Sequence, residues 1–160
     1  MTQSDPEHLL ARFWRDLSDL RTGMLGLATE DEGHAQPMTA LCEGKQGPLW
    51  FFAHKHSPLV QAAEHSRPAV FHYAGPRHEL YACIHGELAT RTDAAMIERL
   101  WCADVARWYP GGRHDPDLAM LCFTPTSARI WLANEGPQPA LFGFGRDREG
   151  PRDIHADVRL

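Results

Sequence analysis

From His78 to Arg91 the chain reads HELYACIHGELATR, and its apolar residues keep step with a period of two. Leu80, Ala82, Ile84, Gly86 and Leu88 fall on one face and Tyr81, Cys83, His85, Glu87 and Ala89 on the other, the pattern of a long strand. A strand with one apolar face needs paired neighbours and a covered side, so a sheet has to organise the fold. Candidate neighbours are visible on either side. TGMLGLAT (22–29), AQPMTALC (35–42) and PLWFFA (48–53) are short segments parted by EDEGH and EGKQG, and read as three successive antiparallel strands. AVFHYA (69–74), ended by Gly75-Pro76, continues the set. LAMLCF (118–123) and ARIWLA (128–133) read as two further strands joined by a turn at Thr124-Pro125-Thr126-Ser127. Gly23 and Gly26 mark a bulge or strong bend in the first strand, or the close approach of another backbone. His72 and His85 are read as wall residues of the sheet.

Helices frame these strands. Ser4-Asp5-Pro6-Glu7 fits a capping box, and Leu10, Phe13, Leu17 and Leu20 recur at helical spacing, which predicts an amphipathic helix over 5–20. Thr92 or Asp93 caps a second, in which Met96, Ile97, Leu100, Trp101, Val105 and Trp108 form one apolar stripe ended by Pro110-Gly111-Gly112. The organisation is one domain over 1–133 followed by an irregular tail, 134–160, rich in Gly, Pro and charge.

The stretch with the most chemistry is Gly47–Glu64, GPLWFFAHKHSPLVQAAE. A strand-length aromatic run gives way to His54-Lys55-His56, then Ser57 and Pro58 stand where a helix cap and first turn belong, opening a short helix over 58–65. A basic turn ahead of a helix N-terminus is a seat for a phosphate, set against the plainer reading of a surface turn.

Composition narrows the classes. A net charge of −5 argues against general nucleic-acid or anionic-membrane binding, so any anion site is local. MTQSDPEHLL lacks a basic region ahead of an apolar core and no run reaches membrane-spanning length, so the reading is a cytoplasmic protein. Cys42, Cys83, Cys102 and Cys122 are far apart among apolar neighbours and read as reduced core thiols; ten scattered histidines show no compact metal spacing.

Six or more short strands with a leading helix, one helix after the third strand and a longer one after the fifth describe a mainly β (α+β) fold, a small antiparallel barrel with helical insertions. TGMLGLAT, then Gln36-Pro37-Met38, then LWFFAHKHS, and later IERLW, ARWYPGG and DPDLAMLCFTPTSARIW, together resemble the pyridoxamine 5′-phosphate oxidase-like FMN-binding split barrels, and most closely their general stress protein 26 branch, over about residues 12–132. The resemblance implies a six-stranded antiparallel split β-barrel with flanking helices, forming a homodimer with FMN in a groove at the subunit interface. It implies that Gln36, Pro37 and Met38 line the isoalloxazine side and that Phe52, Ala53 and His54 sit near the ring and ribityl phosphate. Lys55 and His56 would stand beside Ser57 at the phosphate, and Trp131 would reach the flavin from the partner subunit. The chain also departs from the family pattern: Gln36 stands where Arg is common, Ala53 where Thr or Ser is, and Leu59 where a basic residue is. If histidines replace the lost charge, FMN affinity should weaken between about pH 6 and pH 8, where an imidazole loses its proton.

The functions that follow are a flavin-dependent oxidoreductase, with NAD(P)H as electron donor and the cofactor carrying the chemistry, or a non-catalytic flavin carrier or stress sensor. A pyridoxamine phosphate oxidase proper is not read, because its substrate-phosphate residues are not identifiable. A third reading is a split barrel that has exchanged FMN for haem, with His54, His56, His72 and His85 as candidate iron ligands, or for no ligand.

Overall fold

The structure, a computed structural model, describes residues 5–28, 34–44, 46–132 and 154–160. Helix α1 (Pro6–Asp19) opens the chain, followed by β1 (Thr22–Leu27), β2 (Gln36–Thr39), β3 (Leu49–His54), α2 (Pro58–Ala62), β4 (Arg67–Ala74) and β5 (Leu80–Thr90). Then come α3 (Ala94–Leu100), α4 (Ala103–Ala106), β6 (Leu118–Leu132) and β7 (Ile154–Arg159). All pairings are antiparallel. Six strands run in the order β2-β1-β4-β5-β6-β3, β7 adds to β6, and a bridge from Leu41 to Trp50 brings the two ends of the path together. The result is a nearly closed barrel with flanking helices, as the alternation in the sequence requires.

The inward residues fill it. Phe51, Phe71, Leu80, Ile84, Leu88, Leu121, Phe123 and Ile130 are essentially inaccessible, and α1 adds Leu9, Phe13 and Leu17 from its apolar face. Each such side chain contributes about 1.5–3 kcal/mol by leaving water. Asp5 starts α1, its carboxylate accepting from the Glu7 N–H at 3.1 Å. A second cluster lies on the outer side of β3 and β6, where Trp50, Met120 and Cys122 meet Met96, Ile97, Val105 and Tyr109.

Gly23 does receive a neighbour: a Cβ there would collide with the Phe71 ring and the His72 carbonyl. The cysteines are free thiols, but only Cys122 is buried; Cys42, Cys83 and Cys102 are half-buried. Burial pushes the thiols of Cys42, Cys83 and Cys122 up, against smaller opposing pulls from Arg21, Arg129 and Arg91.

Three expectations are corrected. The segments 118–123 and 128–133 are one strand, β6, through residue 132. Thr124–Thr126 is not a turn but the place where β6 exchanges one outer neighbour, β3, for another, β7. Pro125 is tolerated because only β5 pairs there, across a bulge that sets Gly86 against Pro125 and leaves Thr126 over. The single stripe helix is two: Trp101 is extended (φ −62°, ψ 130°) and breaks it, its ring meeting Phe52 at 5.9 Å, while Trp108 is 71% exposed instead of joining the stripe. The tail reading over 134–160 fails at its end, where β7 pairs with Ser127–Leu132; residues 133–153 lie outside the described residues.

Candidate functional site

The barrel is split between β2 and β3. Lys55 donates its N–H to the Asp117 carbonyl at 2.8 Å, and the same ladder phase carries back through Ala53, Phe51 and Leu49, which turn their backbone groups to β6. Trp50, Phe52 and His54 turn theirs the other way. Trp50 finds Leu41, the two exchanging bonds of 2.7 and 2.8 Å, but beyond it the N–H and C=O of Phe52 and the N–H of His54 face a seam with no strand partner among the described residues. His54 C=O accepts from the Ser57 N–H at 2.9 Å. Across the seam the alternation of β2, read from the Ala40 N–H that bonds to Arg21, directs the N–H and C=O of Thr39 and the C=O of Pro37 inward. Pro37 therefore lacks its donor on the unpaired side, where a proline costs no ladder bond.

Two unpaired strand edges confronting each other are a row of donors and acceptors in want of a partner. The residues expected at the cofactor are found on them. Gln36 and Met38 are half-buried on β2, the Gln36 amide N–H directed at Met38 Sδ at 3.6 Å, and Met38 packs on the barrel core. Ala53 points inward and is buried. Phe52 does not offer its ring to the seam: the side chain lies in the outer cluster, 5.9 Å from Trp101 and 6.3 Å from Tyr109, so its contribution is its backbone. His54, Lys55 and His56 are exposed at the end of β3, and Ser57 caps α2, accepting from the Val60 N–H at 3.3 Å.

A facing turn supports the basic one. Tyr109, buried, stands 5.3 Å from the His54 ring, and its hydroxyl is pushed up to about 12, by burial and then by the charge of Asp115. Asp115 accepts from the N–H groups of Asp117 and Gly111, both at 2.9 Å, and these bonds, with a smaller attraction from His54, hold its carboxyl below its ordinary value. Neither Tyr109 nor Asp115 stood out in the sequence, because the strand end and this turn are far apart along the chain.

Trp131 is elsewhere. It lies on the outer face of β5 and β6, paired with Tyr81, thirteen positions along β6 from the partner of His54, a contour of roughly 40 Å. There an open groove of about 570 Å³ is lined by Cys83, His85, Ser127, Arg129, Trp131 and Arg159. The outer row His72, Cys83, Arg129 runs across β4, β5 and β6, with His85 diagonal to His72, so both histidines stand on the outer face of the sheet. Among the described residues no group of three or more His, Cys, Asp or Glu could hold a metal ion, and no helix is long and apolar enough to cross a membrane.

Comparison with known proteins agrees with this architecture. The model of the pyridoxamine 5′-phosphate oxidase like family matches residues 9–145. The chain belongs to this family. Within it, the general stress FMN/FAD binding protein of Xanthomonas citri is 41% identical, with a TM-score of 0.77 over 82% of this chain and 94% of that one. A Jannaschia sp. CCS1 protein described as a general stress protein 26 is 30% identical, with a TM-score of 0.78 over 98% and 100% of the two chains. A Clostridium acetobutylicum protein related to general stress protein 26 shares the fold at 16% identity, with a TM-score of 0.73 over 98% and 97%. No curated protein matches.

Proposed function

We propose that this family member binds a flavin in the seam between β2 and β3, and that two copies complete the site, each presenting Trp131 to the other's seam. The observation that carries the reading is the pair of unpaired strand edges at Pro37–Thr39 and Phe52–His54, in a chain 41% identical to a protein named for binding FMN and FAD. A heteroaromatic ring edge with alternating donors and acceptors satisfies such backbone groups, and Met38 and Ala53 give its faces apolar contact. The ring end of FMN therefore fits the residues present. The phosphate end fits poorly: Gln36, Ala53 and Leu59 bring no charge, and the cations nearby are the exposed His54, Lys55 and His56.

The dimer is part of the proposal, supported by the separation of Trp131 from the seam within one chain. A second copy can supply it. A bound flavin would supply electron transfer, and the protein's part is to hold the ring, exclude water from it and set its surroundings. Of the described titratable side chains at this end of the seam, His54, Lys55 and His56 are exposed to solvent, while Tyr109, 5.3 Å from the His54 ring, is buried.

The test is the visible absorbance of the purified protein and an FMN titration, with sedimentation to determine the assembly. Saturable binding at one flavin per chain in a dimer supports the reading, and absence of binding at micromolar FMN contradicts it. Oxidation of NAD(P)H by the loaded protein then separates an oxidoreductase from a flavin carrier, which would hold FMN without reducing it.

A further inference from the structure

We infer that the seam selects its ligand by the isoalloxazine ring and hardly reads the phosphate, so that riboflavin, FMN and FAD bind with similar affinity. This rests on the flavin reading above and specifies its chemistry. Flavin sites that read the phosphate need charge-assisted donors held in place, since these are the strong hydrogen bonds to an oxyanion. Among the described residues of one chain, none is held in place at the seam. The Gln36 amide is neutral and turned to Met38 Sδ, and Ala53 is buried with no donor. Leu59 is half-buried against the barrel core, so the position that would carry a cation is spent on packing. The Ser57 oxygen is engaged by the Val60 N–H, leaving one neutral hydroxyl proton to offer.

What remains is exposed to solvent. Lys55 and His56 stand in solvent, where an ion pair gains little against water and salt. His54 is exposed too and stands between Tyr109 and Asp115, whose carboxylate already competes for its charge; Asp117, Arg113 and His114 belong to the same facing turn. Helix α2 has five residues, too few for a strong macrodipole at its start. Against this, the seam's ring-binding backbone groups on Thr39, Phe52 and His54 are fixed by the ladders behind them.

Titration of the full chain with riboflavin, FMN and FAD at pH 6 and pH 8 tests the inference, in wild type and in Leu59→Lys and Gln36→Arg. Wild-type affinities for riboflavin and FMN should agree within about fivefold at both pH values, and Leu59→Lys should tighten FMN by about tenfold while leaving riboflavin unchanged. Gln36→Arg, on an edge strand where a long side chain reaches solvent, gives the same comparison should Leu59→Lys fail to fold. FMN bound about a hundredfold tighter than riboflavin by wild type overturns the inference and leaves the flavin reading standing. So does a loss from pH 6 to pH 8 seen with FMN alone, which would assign the phosphate to the histidines. Failure of all three flavins to bind removes the flavin reading and this inference with it.

Discussion

The two halves of the barrel are built to opposite rules. Along β4, β5 and β6 the backbone pairs on both sides of β5, the inward residues are fully buried, and close approach is arranged at Gly86, where a Cβ would meet the Thr124 carbonyl and the Phe123 ring. Along β2 and β3 one bridge joins strands whose next residues face each other unpaired. The closed wall holds the fully buried core of the barrel, and the seam is where the described strands leave polar backbone unpaired.

Substitutions can break that contrast. Phe123→Ala, at a position with no exposure, should cost about 4 kcal/mol in urea unfolding, and a loss below about 1 kcal/mol would deny the closed wall its role. Gly86→Ala forces either β6 or the Phe123 ring to move and should cost about 2 kcal/mol by the same measurement, although only a methyl group is added. Ser57→Ala removes the cap of α2 next to the seam and should cost about 1 kcal/mol, locally enough that amide exchange rises in α2 before it rises in β5. Gln36→Arg at the seam should change stability by less than about 0.5 kcal/mol, and a larger destabilisation would mean that the β2 edge carries structural load.

The smallest effect expected is a pH dependence. Asp115 has its carboxyl lowered in the fold from 3.8 by the Asp117 and Gly111 N–H groups, so its contribution is fully present above about pH 4 and is lost as pH falls through the folded value. The unfolding midpoint of Asp115→Ala should therefore lie below wild type at pH 6 and converge with it toward pH 3. A gap independent of pH would show that Asp115 acts through shape and not through its charge.

Much of the closed wall was legible because its information is local. Alternation over Leu80–Leu88 predicted β5 and its inward face, and Ser4-Asp5-Pro6-Glu7 predicted the start of α1, where Asp5 is the capping residue. The misreadings arose where a distant partner decides. Thr124–Ser127 has turn composition, yet β5 holds it extended; the stripe through Trp101 has helical period, yet the chain bends there to set the ring against Phe52. The seam was legible only in its residues. Its geometry is a pairing that stops, and no local pattern encodes the absence of a neighbour; for the same reason the sequence did not tell that Phe52 turns its backbone, and not its side chain, to the gap.

Backbone amide exchange, followed residue by residue with and without FMN, bears on the central claim most directly. If the flavin occupies the seam, the N–H groups of Thr39, Phe52 and His54 should slow by about tenfold or more on saturation, while those of β5 that already bond to β4 and β6 stay as they were. Saturating flavin that leaves Thr39, Phe52 and His54 unprotected, or protects only residues around Trp131 and His85, would contradict the account and move the ligand to the outer face.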